Sequence, residues 1–524
     1  MVVLLLAARW IWVAGLGDYG WTWEAAARLL RGQVYYRDFP SLYGPLSHYT
    51  LAGLMALAGS HLFVFHLHLW LWYALALGAG LAVMSRLGVR SSSQTAGLAL
   101  AAVISCPAFF WGHAFNYQAT FLAGAATWCA LRATAEGPRG WAAWAGLLAG
   151  LTIFARQNVG LTLAALIPLL LPAGRRMAFG AGLLGAGGSL FAAFAWRAGA
   201  SEVFHQLLLD AAAAKGGLLM VIARATPRII LAPGAMGRRW WELAITLVCW
   251  AALGWLALRL ARRRTMPRPA DPAGGWQLAA GAAAAAAASL FPIGYGAGFL
   301  WPWLWQLTYI FLFLLVAAHL GVGLPGNWAP ACILILATVV VQEGSNPNFP
   351  YSAPLAIPLL FGLLDRSGVR LPAAAGGALL GAVWLLGAAR VGAAPAYALP
   401  SNSPFAGLRA PQRYAAKATE MWDHLRPQIQ DRTTLWLTEG GPFLAYGGLP
   451  APSAPVYMTD SFPARLDARL LQTWQRNPPE FVVLHDRFWV TPLLAAPALR
   501  SSLLGPYRKV WQSRLEPQVS LWKR

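Results

Sequence analysis

Asp18 stands in the stretch Gly17, Asp18, Tyr19, Gly20, Trp21, directly after an apolar run from Met1 to Leu16. A carboxylate at the mouth of a membrane span is partly desolvated, which raises its basicity towards that of a useful proton acceptor. The same position suits an interfacial carboxylate that caps the following helix, and position alone leaves both roles open. Arg156, Gln157 and Asn158 form a second group. They fall between two short apolar segments, where an arginine either snorkels to the interface or makes charge-assisted hydrogen bonds to a phosphate. Gln157 and Asn158 add amide hydrogen-bond donors beside it.

Other polar residues have plainer explanations beside their chemical ones. Glu24 has Arg28 four residues on, so an ordinary surface pair accounts for it. Asp38, in Tyr35, Tyr36, Arg37, Asp38, Phe39, Pro40, either pairs with Arg37 or caps a turn before Gly44 and Pro45, or shapes an acceptor site. Residues 197 to 240 carry Lys215, Arg224, Arg228, Arg238 and Arg239, with Glu202, His205 and Asp210 in a helical pattern. Most of these read as solvated faces or headgroup contacts, with one or two available to clamp a phosphate. His61, His66 and His68 lack a third ligand at suitable spacing and read as hydrogen-bonding groups rather than a metal site. The 27 Trp and 15 Tyr fit interfacial belts first, and Trp21, Trp111, Trp301 and Trp303 are candidates for stacking on sugar rings. No P-loop, GxSxG or HExxH occurs, which removes the ATPase, serine hydrolase and zincin readings.

The elements that must hold these residues are membrane helices. Of 524 residues, 58% are apolar and 11% charged, against a soluble norm of roughly 45–50% and about 25%. A net charge of +21 in a soluble protein would point to nucleic acid. Here the basic residues sit in short clusters between apolar runs, so membrane lipids are expected as partners and nucleic acid is not. Cys106, Cys129, Cys249 and Cys332 all lie in apolar runs, so no disulfide framework is available. Only ten of the 19 acids precede residue 390, so carboxylate chemistry has few candidates there.

A span needs about 20 apolar residues, fewer where neighbours shield a short helix. The pattern predicts about 13 transmembrane helices: residues 1 to 16, 61 to 84, 96 to 110, 119 to 135, 141 to 154, 159 to 173, 177 to 196, 241 to 260, 276 to 293, 303 to 320, 328 to 342, 353 to 364 and 372 to 389. The first is short and carries Arg9, but with no basic region before it and no small-x-small site after it, a cleaved signal peptide is disfavoured. With the N-terminus inside, Arg86 and Arg90, Arg132 and Arg139, Arg175 and Arg176, Arg259 to Arg268, and Arg366 and Arg370 all fall in cytoplasmic loops. Two long loops, 17 to 60 and 197 to 240, then face outward. In the first, Trp21, Ala25 and Leu29 share one face and Glu24, Arg28 and Arg31 the other, as in a helix lying flat on the membrane.

After Arg390 acids become frequent. Residues 390 to 404, with Pro400, Ser401, Asn402, Ser403 and Pro404, read as a linker. Residues 405 to 524 then read as a small external α/β domain, following the transmembrane domain of residues 1 to 389. Helical patterns at Pro411 to Arg426 and Pro463 to Arg476 interleave with strand-like runs at Thr434 to Thr438, Val456 to Thr459 and Phe481 to His485. Two more short strands fit between Val510 and Lys523.

Taken together, an Asp after the first span, a helix ending Leu29, Leu30, Arg31, Gly32, then Tyr35, Tyr36, Arg37, Asp38 and Gly44, Pro45, Leu46, Tyr49 resembles the first external loop of GT-C membrane glycosyltransferases. The branch it resembles holds the aminoarabinose transferases, protein mannosyltransferases and lipopolysaccharide core sugar transferases. Gly150 to Gly160 resembles that branch's short span pair, and Asn348 to Pro354 with Pro358 its aromatic and Pro-rich segment before a late span. The resemblance covers residues 15 to 160 and is loose beyond them. It implies transfer of a sugar from a polyprenyl-phosphate carrier to a hydroxyl on an envelope glycan, lipid or protein. The site would face the periplasmic side of the cytoplasmic membrane. Asp18 would activate the acceptor. Arg156, Gln157, Asn158, Lys215, Arg224 and Arg228 would bind donor phosphate and sugar, while Glu24, Asp38, Tyr43, Asn116 and Tyr351 are acceptor-site candidates. Tyr19 stands where many relatives carry Glu, and His113, Asn116 and Gln118 stand where many carry a second acid. No cofactor and no metal are therefore expected. Two rivals are a transporter or flippase for a lipid-linked sugar, and a noncatalytic envelope-assembly scaffold. The absence of visible repeated halves and the placement of acids at span ends count against transport.

Overall fold

A computed structural model describes residues 17–39, 41–105, 113–134, 138–214, 251–260, 311–320, 323–324, 326–345, 349–369, 396–398, 409–429, 432–437, 472, 474–485, 504–515 and 517–524. Up to residue 369 every regular element described is a helix: α1 Gly17–Leu30, α2 Leu46–Ala58, α3 Leu62–Arg86, α4 Ser91–Ile104, α5 Ala114–Thr134, α6 Gly140–Ala155 and α7 Gln157–Leu170. Then come α8 Ala173–Ala198, α9 Ala200–Phe204, α10 Ala251–Leu260, α11 Phe311–Leu320, α12 Trp328–Ser345 and α13 Phe349–Arg366. The helix α8 passes through a π-helical stretch at Leu184–Gly188, and α9 continues into a second at His205–Asp210.

The centre of this bundle is α5. Ala and Thr recur along its 21 residues, and it is buried on nearly every side. Its small side chains let α3, α6, α7, α12 and α13 pack against it, and they enclose its polar Asn116, Gln118 and Thr120 as well. Small residues also set the α6–α8 crossing: a methyl group at Gly146 would strike the Phe179 carbonyl, and one at Gly182 the Ala143 carbonyl. Close backbone approach of this kind is how helices associate where no water drives them together.

Among the described residues two helices, Phe63–Arg86 and Ala173–Ala198, are long and apolar enough to cross a membrane. Six more are apolar but shorter: Leu46–Ala58, Gly140–Ala155, Gln157–Leu170, Ala251–Leu260, Phe311–Leu320 and Trp328–Gln342. The expected spans 1 to 16, 276 to 293 and 372 to 389 lie outside the described residues. The flat interfacial reading of residues 21 to 31 needs correction. Trp23, Glu24, Ala25, Ala26, Ala27 and Arg28 are all buried, so α1 is enclosed on both faces and packs against α2.

Past residue 390 the chain forms β1 Ala396–Ala398 and β2 Arg409–Pro411, the helix α14 Gln412–Ile429, and strands β3 Thr434–Leu437, β4 Phe481–His485, β5 Arg508–Gln512 and β6 Val519–Lys523. The sheet order is β3-β4-β6-β5, with β3 and β4 parallel and the other pairs antiparallel. The parallel pair needs a long crossover, while β5 and β6 close through a short turn. Within the stretch expected as a linker, β1 pairs antiparallel with β2, so part of it is strand. The expected elements Val456 to Thr459 and most of Pro463 to Arg476 lie outside the described residues. One apolar cluster runs from Trp23 and Tyr117 through Trp422 to Val483 and Leu521, joining the C-terminal sheet to the helices.

Candidate active site

The loop after α1 is folded inward by its aromatic residues. Gly32, at φ 82, ends the helix, and the Gln33 N–H returns to the Arg28 carbonyl. Tyr35, Tyr36 and Phe39 are then buried. The Tyr35 hydroxyl lies 2.6 Å from Ser41 Oγ and 3.0 Å from His48 Nδ1. Burial pushes both phenols well above the ordinary tyrosine range, so they act here as hydrogen-bonding groups. Asp38 accepts the Val34 N–H at 2.6 Å and pairs with Arg37 at 2.8 Å, on the exposed side of the loop. Those contacts are what the structural reading of Asp38 requires.

Glu24 and Arg28 do pair, but not at a surface. Their side chains are 6% and 2% exposed. The loop explains the enclosure: Phe39 lies 5.6 Å from the Arg28 guanidinium, which also donates to Gln33 Oε1 at 3.3 Å. A surface pair is worth little, whereas breaking an enclosed one strands a charge in a poor solvent.

The second group sits at the hairpin between α6 and α7. Arg156 is extended, at φ −154 and ψ 103, and the chain re-enters a helix at Gln157. The residue is 6% exposed, its guanidinium donating to Asn116 Oδ1 of α5 and to the Gln342 carbonyl of α12 at 3.2 Å. The snorkelling alternative is thereby corrected: α5 and α12 enclose the head. Gln157 donates to the Leu42 carbonyl at 2.8 Å and Asn158 to the Val341 carbonyl at 2.6 Å. These two amides tie the hairpin to the first loop and to α12. Gly44 lies so close to the Phe154 carbonyl that a methyl group there would overlap it.

Tyr351, in the first turn of α13, accepts the His113 N–H at 3.0 Å, while its own carbonyl accepts from Thr120 at 2.7 Å. Gln342 donates to the Thr120 hydroxyl at 3.1 Å. Aromatic contacts run from Tyr43 to Phe115 at 4.8 Å, Phe115 to His113 at 5.0 Å and His113 to Tyr351 at 6.1 Å. Tyr43, Asn116, the run Arg156, Gln157 and Asn158, and Tyr351, from four separate stretches of sequence, thus share one connected network. Glu24 and Asp38 are held in pairs of their own. Asp18 is the second residue of α1, and its side chain lies outside the described part of the structure. Lys215, Arg224 and Arg228 lie outside the described residues, as do Trp111, Trp301 and Trp303.

Two residues of the network escaped sequence reasoning: Thr120 and Gln342. Each is a polar group in an apolar run, and buried polar groups need partners; that signal was present in the sequence. His68 hydrogen-bonds with Thr50 at 2.9 Å and Trp72 at 2.8 Å. Among the described residues no three His, Cys, Asp or Glu side chains are grouped so as to hold a metal.

No family model matches this sequence, and no curated protein does. Two solved structures of ArnT from Cupriavidus metallidurans are similar to it. The one bound to undecaprenyl phosphate has a TM-score of 0.42 and 15% identity, covering 99% of this chain and 96% of that one. The apo form has a TM-score of 0.40 and 14% identity over the same shares of both chains.

Proposed function

We propose that this chain is a GT-C type polytopic membrane glycosyltransferase. It moves a sugar from a polyprenyl-phosphate-linked donor to a hydroxyl of a lipid, glycan or protein on the outer face of the cytoplasmic membrane. One observation carries the reading: a buried guanidinium, Arg156, is aimed by Asn116 and the Gln342 carbonyl within a network that also takes in Leu42, Asn158 and Tyr351. A fixed, desolvated cation is what a departing lipid phosphate needs, because charge-assisted bonds strengthen where water is excluded.

In this reading Asp18 takes or orients the proton of the acceptor hydroxyl. That oxygen attacks the anomeric carbon as the bond from carbon to phosphate oxygen breaks, and the configuration inverts. Arg156, with one or more of Lys215, Arg224 and Arg228, holds the charge that develops on the phosphate. Tyr43 and Tyr351 line the acceptor side, and Asn116 sets the guanidinium. Glu24 and Asp38 serve the architecture of α1 and its loop.

The test is purified protein in lipid nanodiscs, supplied with a panel of polyprenyl-phosphate sugars, a parallel panel of nucleotide sugars and envelope extracts, and read by mass spectrometry of modified acceptor. Product is expected from the lipid-phosphate donors alone. Asp18→Asn is expected to lower transfer by about a hundredfold or more, the usual scale of a general base, with expression and helicity intact. Transfer from nucleotide sugars, or full activity in Asp18→Asn, counts against the mechanism.

A further inference from the structure

Gln206 lies in the π-helical stretch His205–Asp210 and is wholly buried. Its side-chain oxygen accepts the Ser41 N–H at 2.8 Å. Its nitrogen donates to the Tyr36 carbonyl at 2.7 Å and to Glu202 Oε1 at 2.6 Å. A glutamine amide offers two N–H donors and one carbonyl oxygen, and here each finds a partner. Turning the amide over would set oxygen against a carbonyl and a carboxylate, so the partners fix its orientation.

What it grips is a conformation that the chain does not favour alone. Tyr36 has φ 70, the only positive value at a non-glycine residue among the described residues. A Cβ makes that region unfavourable, and it persists only where surroundings hold it. Two hydrogen bonds do so: the Tyr36 carbonyl is held by Gln206, and its hydroxyl donates to the Tyr43 carbonyl at 3.3 Å. Its ring also packs edge-on to Phe194 of α8 at 6.2 Å. The same loop delivers the Leu42 carbonyl to Gln157 and the Tyr43 ring to Phe115.

We propose that Gln206 is a positioning residue: by clasping Tyr36 and Ser41 it holds the loop of residues 36 to 43 in the shape that sugar transfer uses. The role in transfer rests on the glycosyltransferase reading above; the clasp itself does not.

Full-length protein in nanodiscs tests this with two variants. Gln206→Met removes the amide at nearly constant volume, and Gln206→Glu keeps an oxygen for the Ser41 N–H while losing the donor to Tyr36. Hydrogen exchange is followed by mass spectrometry in peptides spanning residues 36–45 and, as an internal reference, residues 114–134. Steady-state transfer is measured beside it. Exchange in residues 36–45 is expected to rise about tenfold or more in Gln206→Met and at least as much in Gln206→Glu, whose second oxygen would face the Tyr36 carbonyl and the Glu202 carboxylate, with no rise in residues 114–134. The transfer kcat is expected to fall about tenfold in Gln206→Met, with the donor KM within about twofold of wild type. Unchanged exchange in residues 36–45, a rise shared equally by residues 114–134, or a normal kcat on a loosened loop overturns the proposal. A wild-type protein inactive with every donor overturns the glycosyltransferase reading instead, and the exchange result still decides the clasp.

Discussion

A lysine in place of Arg156 would carry the same charge but could not do the same work. A planar guanidinium reaches Asn116 Oδ1 and the Gln342 carbonyl together, whereas an ammonium is a point charge on a flexible stem. Arg156→Lys is therefore expected to raise the donor KM roughly ten- to a hundredfold, the scale of one charge-assisted hydrogen bond. Initial rates against donor concentration measure it, and an unchanged KM would remove Arg156 from the donor site. Asn116→Leu should move the same parameter in the same direction by aiming the guanidinium poorly. At this scale the sequence was informative about type but not about use. Arg156, Gln157 and Asn158 stood out as a polar cluster between apolar segments, yet nothing in the spacing says that Gln157 and Asn158 spend donors on the carbonyls of Leu42 and Val341. Those partners are far away in the chain, and only the packing of the first loop and of α12 against the hairpin brings them within reach.

Elements meet at two places where a single group decides the fit. Gly44 is pressed against the last turn of α6, so Gly44→Ala must push the first loop off the hairpin. Overpacking of this kind costs about 1–3 kcal/mol, and an earlier thermal unfolding midpoint in detergent, accompanied by lost transfer, is the expected result. The second place is the turn between β5 and β6. Glu420 of α14 accepts the Arg514 N–H at 2.6 Å, the Ser513 hydroxyl at 2.8 Å and the Leu515 N–H at 3.2 Å. Partial burial works to raise this carboxyl, but the three donors outweigh it and hold it below the usual value of 4.5. A depressed carboxyl lends stability that is present above its unfolded value and lost as pH falls through its folded one. Protection of residues 513–515 against exchange, corrected for intrinsic rate, should decline as the medium is acidified below 4.5, and Glu420→Gln should weaken that dependence. A decline identical in both proteins would show that another group is responsible. One strand, β4, was fully legible: Phe481 to His485 was expected with the bounds observed, because an apolar run flanked by prolines and charges has few alternatives.

Over the whole molecule, hydropathy located the helices better than it described their surroundings. The apolar runs beginning near residues 61, 141 and 328 are helices, as expected. The residues 21 to 31 pattern also gave a helix, but its polar face reads as exposed only if nothing covers it, and Phe39 from the next loop does. Periodicity reports which side of a helix differs from the other; enclosure depends on what arrives later in the chain. The same applies to α13, whose prolines look in sequence like mere interruptions. Pro354 and Pro358 lack N–H groups, so the carbonyls of Pro350 and Pro354 have no amide four residues on. Gly80 of α3 backs directly onto the Pro354 oxygen, where any side chain would strike it. Because Tyr351 lies one turn upstream on the same rod, a bulky substituent at position 80 should tilt that rod and carry the tyrosine away from His113. A genetic screen for lost sugar transfer would then return Gly80→Val among its hits, a lesion that touches no reactant and acts by leverage alone.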